Sequence, residues 1–319
     1  MSGRGEQVQY HVRSAMRAQA DLTAGFGFYA MGKKPQWGSC ICSARESSAQ
    51  VTFAMGVALL TYMTNIEKYY NKFNEDHRLT TRHGIVEMTC TMHHIQKAID
   101  GRQGLSIADI GCGTGRYSIE LCHQGHQLTA VELVKRNIEV LRAKHEKIKT
   151  WQGNALDLSF LEENKFDITL CLGPMYHLHT EEERLTVIEQ LKRITKPGGL
   201  IFIAYILNEN AIIRYCFGEN KIGECLEKGW LTEDFHTVTQ PDDLYSYVRL
   251  EDVNAIQKKS GLERKTIFSQ EGAADYMRRE LNAMDEATFR HFVDYTIAIS
   301  QRPELLGAGT HVVDVLING

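Results

Sequence analysis

The sequence predicts an α/β domain built on a doubly wound, mostly parallel sheet, and three observations predict it. From Leu105 onward, short apolar runs alternate with segments of helical period in the order βαβαβ. A glycine-rich stretch, Gly111-Cys112-Gly113-Thr114-Gly115, joins the first apolar run to the first of those helices. Glu132 closes the second run, about 20 residues further on, where dinucleotide folds place an acid for ribose hydroxyls.

Upstream of the sheet, Tyr69 and Phe73 stand four apart, and Val86, Met88, Met92, Ile95 and Ile99 follow at i, i+3 and i+4 spacing, which predicts two helices. Leu105 to Ile110 then reads as a buried strand, Arg116 to Cys122 as a helix ending near Gly125, Leu128 to Val131 as a strand, Val134 to Lys147 as a helix and Ile148 to Trp151 as a short strand. Phe166 to Leu172 is the next strand. Thr180-x-x-Glu183 is a capping box that opens a helix with Leu185, Ile188, Leu191 and Ile194 on one face. Lys196-Pro197-Gly198-Gly199 is expected to stop that helix before the strand Leu200 to Ile206. An insertion over about 207–245 breaks the rhythm, which resumes with a helix over Leu250 to Lys259, Gly261 as its punctuation and a strand over Leu262 to Phe268. A second helical insertion, about 273–303, carries Phe289, Phe292, Val293 and Ile297 on one face, and His311 to Ile317 is the last strand.

Residues 1–62 differ in texture, with Gly, Ser and weak periodicity, so the expected organisation is an extension over 1–62 and one domain over 63–319. Composition bounds the partners. With 36 Lys+Arg against 40 Asp+Glu and a net charge of -4, the chain has no general attraction for phosphate backbones or anionic lipid, so neither nucleic acid nor membrane is expected. Val51 to Met63 is apolar but too short to span a bilayer and too far in for a signal peptide, which makes the cytoplasm the expected location. The eight cysteines are scattered, without a C-x-x-C pair or matching His ligands. Cys40-x-Cys42 has no partners at ligand spacing, and no metal site is expected.

The glycine stretch is the sharpest chemical signal. Three glycines in alternate positions after an acid, Asp109, let the backbone turn tightly and approach a ligand at the carboxyl edge of the sheet. A G-x-G-x-x-G dinucleotide loop is the natural competitor. Here the third glycine arrives one residue early and Arg116 follows, which favours a nucleoside over a pyrophosphate.

D-I-G-C-G-T-G, then V-E-L, then Gly153-Asn154-Ala155-Leu156-Asp157-Leu158 and Phe166-Asp167-Ile168 resemble the class I S-adenosylmethionine-dependent methyltransferases, in order and spacing over about residues 63–319. The resemblance implies a Rossmann-like, seven-stranded sheet with an antiparallel last strand and S-adenosyl-L-methionine as cofactor. It places Asp109, Gly111, Cys112, Gly113, Thr114 and Gly115 along the methionine part of the cofactor. Glu132 goes to the ribose with Leu133 beside it, Asn154 and Ala155 beside adenine, and Leu172 near the methyl group. Many relatives carry Asp where this chain has Asn154. Tyr69 and Arg82 are candidates to close over the cofactor carboxylate.

Leu172-Gly173-Pro174-Met175-Tyr176-His177-Leu178 resembles the GPxYHL form of uncharacterised and small-molecule methyltransferases and differs from base-methylating motifs. His177 is the candidate general base and Tyr176 the residue that orients it. Packed aromatic and histidine side chains are the competing reading, and for His236 and His311 that plain structural role is expected. The expected reaction is direct displacement at the sulfonium methyl by a small organic acceptor, with the two insertions as its lid and pocket. A non-catalytic cofactor-binding protein and an RNA or protein methyltransferase are the alternatives.

Overall fold

The sheet runs in the order β3-β2-β1-β4-β5-β7-β6, so the chain winds outward in one direction from β1 (Ser106–Ile110) through β2 (Gln127–Glu132) to β3 (Ile148–Gln152). It then returns to β1's other side with β4 (Phe166–Cys171), β5 (Thr195–Ile206), β6 (Glu263–Ser269) and β7 (His311–Ile317). The first five strands are parallel, and β7 lies antiparallel between β5 and β6. The computed structural model describes residues 66–70, 75–240 and 242–319. The expected extension over 1–62, the Val51 to Met63 run, Cys40, Cys42 and Phe73 lie outside the described residues.

Alternation along the strands builds two cores. In β5, Leu200, Phe202 and Ala204 face one side and Ile201, Ile203 and Tyr205 the other. On the first side they meet Ile95 and Ile99 of α1 (Arg82–Ile99) and Leu121 of α2 (Arg116–His123). On the second they meet Val187, Ile188, Leu191 and Ile194 of α4 (Glu181–Ile194) and Val253 and Ile256 of α5 (Leu250–Ser260). Ile138 and Leu141 of α3 (Lys135–Ala143) pack on Ala130 of β2. The capping box forms as expected: Thr180 Oγ1 accepts from Glu183 N at 3.1 Å, and Glu183 Oε2 accepts from Thr180 N at 3.1 Å.

Two boundaries differ from the sequence expectation. The helix expected to Lys147 ends at Ala143, because His145 takes a left-handed φ of 57° that an α-helix cannot continue through. Lys196-Pro197-Gly198-Gly199 is the start of β5 instead of a stop. Thr195 Oγ1 bonds Thr169 Oγ1 across the strands at 2.6 Å, and Gly198, at φ 74°, donates to Asn318 O at 2.5 Å.

The first insertion leaves β5 as a π-helix over Ala211–Phe217, a short helix over Ile222–Glu227 and an irregular return that carries Tyr245. The second leaves β6 as α6 (Arg278–Ala283) and α7 (Glu286–Ile299), whose Leu281, Phe289 and Val293 pack on Val86 of α1.

At the far edge a charged pair sits inside the sheet. Arg264 of β6 forks onto Asp314 of β7 with both bonds at 2.7 Å, and Asp314 is 1% exposed. A carboxylate buried this deeply is stabilised only while its cation is present. Arg264→Ala is therefore expected to lower unfolding stability by about 3 kcal/mol, and Arg264→Met with Asp314→Leu to recover most of it. Denaturant melts of the three chains check both.

Candidate active site

The order of the strands reverses between β1 and β4, and open α/β sheets bind ligands at the carboxyl ends of the strands flanking such a reversal. Here the glycine loop leaves β1 and the Gly173-Pro174-Met175-Tyr176-His177 turn leaves β4. Gly111, Gly113 and Gly115 all take positive φ, 74°, 55° and 85°. A Cβ on Gly111 would lie 2.6 Å from the Pro174 ring, and one on Gly115 2.4 Å from Leu141. A Cβ on Gly173 would lie 3.3 Å from Gly111 O, so the two loops touch backbone to backbone.

Glu132 closes the other side of the loop. Its Oε2 accepts from Gly113 N and its Oε1 from Val134 N, each at 2.8 Å. The two oxygens thereby join the glycine loop to the turn that follows β2. Leu133 is half-buried beside it.

Asp109 is 2% exposed and accepts from Ser118 Oγ at 2.6 Å. Burial pushes its carboxyl up to about 6, against the opposing side-chain and backbone hydrogen bonds from Ser118. Such a desolvated carboxylate is suited to meet a cation. Cys112 lies at the loop crest with its thiol pushed up by burial. Thr114 is buried, and its carbonyl accepts from Lys144 Nζ at 3.0 Å. Lys144 also pairs with Asp76, tying the segment before α1 to the loop.

Asn154 Oδ1 accepts from Leu156 N at 3.1 Å in a turn that buries Ala155, so the amide oxygen expected to face adenine already holds one bond. Phe160 packs over Gly153 and lies 5.5 Å from the Trp151 ring, giving this end of the crevice two exposed aromatic side chains.

The turn that leaves β4 gathers aromatic side chains. Tyr176 donates to Leu172 O at 3.2 Å, and His177 is buried beside it. His177 Nδ1 lies 2.8 Å from Leu244 O, which can only accept, so Nδ1 carries the proton and Nε2 accepts from the Tyr70 hydroxyl at 3.1 Å. Burial holds His177 down at about 4, so the ring is neutral at pH 7. Both nitrogens are thus engaged, and His177 ties the helical run 66–70 to the first insertion. Tyr245 stacks on His177 at 5.3 Å, and Tyr69 meets Tyr70 and Tyr245 edge-on at 4.9 and 6.2 Å. The return of the first insertion is anchored by Arg184, buried in α4, which donates to Ser246 Oγ at 2.6 Å and to Leu178 O at 2.8 Å.

Arg82 is placed differently from the other expected site residues. Its guanidinium lies 4.5 Å over the Phe289 ring and 3.3 Å from Glu286, both on α7, so it joins α1 to the second insertion. Residues that sequence reasoning passed over are Tyr70, Tyr245 and Arg184, each brought in by an element distant in the chain. The Y-Y pair at 69–70 and the Y-S-Y at 245–247 were the only signals.

Comparison with known proteins agrees with this geometry. Residues 107–199, from β1 into β5, match the family described as a methyltransferase domain. The ubiquinone biosynthesis O-methyltransferase of Actinobacillus pleuropneumoniae serotype 5b (strain L20) is 24% identical over 183 residues, 53% of this chain and 74% of that protein. The cypemycin N-terminal methyltransferase of a Streptomyces species is 22% identical over 188 residues, 52% and 75% of the two chains. The chain carries a methyltransferase domain over those residues and is an S-adenosylmethionine-dependent enzyme. The magnesium protoporphyrin IX methyltransferase of Synechocystis PCC 6803, solved with bound SAH, shares the methyltransferase fold, with TM-score 0.51 at 13% identity over 81% of this chain and all of that one. The glycine cradle, the Glu132 carboxylate and the desolvated Asp109 fit the ribose and the cationic end of S-adenosylmethionine, which supplies an electrophilic methyl group when bound.

Two outcomes follow for this methyltransferase. Glu132→Ala is expected to weaken S-adenosylhomocysteine binding by about 2 kcal/mol, and Gly111→Ala by at least as much, because its Cβ cannot coexist with Pro174. Calorimetry reads both. Asp109 binds its proton more tightly in the fold, at about 6, than its ordinary value of 3.8. Its contribution to stability is therefore full below that lower value and is lost as pH rises through about 6. Without cofactor, Asp109→Asn should melt higher than the parent at pH 7.5, by about 1–3 kcal/mol, and the gain should vanish toward pH 4. Melting curves across that range decide it.

Proposed function

We propose that this enzyme methylates a hydroxyl or amine of a small organic acceptor by direct displacement, inside the aromatic chamber formed by Tyr69, Tyr70, Tyr176, His177 and Tyr245. The observation that carries the reading is the cluster these rings form. It grows from the turn after β4, whose Gly173 meets the glycine loop at Gly111 O, joins the 66–70 run to the first insertion, and offers ring faces and hydroxyls suited to a flat, partly polar molecule. The relatives support a small acceptor without choosing the atom, since one is named for O-methylation and another for an N-terminal methylation.

In this reading Glu132 binds both ribose hydroxyls, and Asn154 and Ala155 border adenine. Leu133 and Leu172 line the crevice, and the Asp109 carboxylate gains its counter-charge from the methionine end. The acceptor's electron pair forms the new bond to the methyl carbon as the carbon–sulfur pair returns to sulfur, leaving a neutral thioether. In-line alignment is the main demand on the protein. His177 serves as general base only once Tyr70 releases Nε2, whereas in the closed geometry it holds the lid.

The placement in a reducing cytoplasm, and the exclusion of nucleic acid, belong to the same proposal. The six cysteines among the described residues are free, and no described helix is long and apolar enough to cross a membrane.

The test is purified full-length enzyme with methyl-labelled S-adenosylmethionine against a panel of phenols, catechols, amines and total RNA. Label is expected in a small hydroxyl or amine compound, and label in RNA alone overturns the reading. With that acceptor, Tyr70→Phe and His177→Ala are expected to lower kcat by about tenfold or more while S-adenosylhomocysteine affinity holds. Equal losses of affinity would move both residues to the cofactor site.

A further inference from the structure

Three ligand-type side chains that the methyl-transfer reading leaves unused meet beside Tyr176. Glu87 comes from α1, Glu271 from the turn after β6 and His311 from the first residue of β7, and one donor atom of each lies within 4.8 Å of the others. Both glutamates are buried, at 7% and 2% exposure. The sequence gives no sign of a metal because the three are far apart in the chain and only the antiparallel return of β7 brings His311 back to the others.

The surroundings hold these donors in place. Glu271 Oε1 accepts from the backbone N–H groups of Thr310 and His311 at 2.9 and 2.7 Å, and Oε2 lies 3.2 Å from His311 Nδ1. These bonds hold the Glu271 carboxylate and the Nδ1 edge of the imidazole face to face, so an ion between the donors would replace the Oε2–Nδ1 contact while the two backbone N–H groups keep Glu271 in place. Arg78 Nη1 donates to both Glu87 oxygens, at 2.9 and 2.7 Å, and takes one lone pair from each, so each keeps a second.

An independent observation points to a missing ligand. Tyr117 of α2 is 7% exposed, and its hydroxyl, in the field of Glu87 and near Thr91, is buried without a well-formed hydrogen bond. Buried hydroxyls are rarely left so. A water on an ion held by the cluster would satisfy it.

We propose that Glu87, Glu271 and His311 bind one divalent first-row cation of the Mn2+, Fe2+ or Zn2+ class. Two carboxylates and one imidazole suit those ions better than Ca2+ or Mg2+, which favour all-oxygen sets. His311 pairs with Ile206 at the carboxyl end of β5, and its ring lies 6.0 Å from that of Tyr176. An ion there borders the acceptor chamber and polarises an acceptor hydroxyl, whose proton passes to water as its oxygen takes the methyl group. That role rests on the proposed acceptor chamber, while binding of the ion does not.

The test titrates Mn2+ into full-length enzyme stripped with chelator, followed by electron paramagnetic resonance, with S-adenosylhomocysteine affinity measured on the same samples. One equivalent is expected to bind, with spin-echo modulation from one imidazole nitrogen. His311→Gln and Glu87→Gln should each weaken the ion by about tenfold or more and leave S-adenosylhomocysteine affinity unchanged. Absence of saturable Mn2+ binding by the parent enzyme, or binding without the nitrogen signal, overturns the proposal. S-adenosylhomocysteine bound without Mn2+ would sink the ion and leave the methyltransferase site standing, and the converse would do the reverse.

Discussion

The contact between two backbones at the sheet reversal is the constraint on which the rest depends. Gly111 faces Pro174, and Gly173 faces Gly111 O, with no room for a Cβ at Gly111 and little at Gly173. That contact brings the exits of β1 and β4 together, so the glycine loop, proposed to cradle a nucleoside, and the turn that bears Tyr176 and His177 meet. Glu132 completes it from β2 by tying Gly113 N and Val134 N to one carboxylate. The loop is thereby held in shape by that carboxylate, which is preorganisation in a concrete sense.

Closure over the crevice is built differently. It uses rings and single hydrogen bonds instead of backbone packing, with His177 joined at one nitrogen to Leu244 and at the other to Tyr70. Breaking either bond leaves a buried imidazole nitrogen unsatisfied, so the two sides of the lid are coupled through one side chain. A neutral histidine suits this task, since burial already disfavours its charged form. The same argument separates His177 from His311, whose paired carboxylate Glu271 favours the proton that burial opposes, with a net rise.

Charges gather where the second insertion meets α1 and the first insertion. Asp275, 6% exposed, is flanked by Arg214 of the π-helix at 2.7 Å and by Arg278 of α6. These two cations hold its carboxyl down at about 2 despite burial. The two insertions are thus joined by one acid shared between two arginines. Arg82 adds a third tie through Phe289 and Glu286.

The sequence by itself determined the alternation of strands and helices, the capping box, the glycine loop and Glu132. All are local: a period of two or of about 3.6, a side chain reaching three residues on, or a φ that only glycine takes without strain. Asp109 and Gly111 to Gly115 were legible because one turn carries them all. What only the tertiary structure decided is which distant side chains meet. It sent Arg82 to α7, engaged both nitrogens of His177, brought Tyr70 and Tyr245 over the crevice and gathered Glu87, Glu271 and His311. It also ran β5 back through Lys196-Pro197-Gly198-Gly199, because pairing with Phe166 and Asn318 outweighs the local stop signal. Such contacts depend on strand order and on the paths of the insertions, and no spacing along the chain records them.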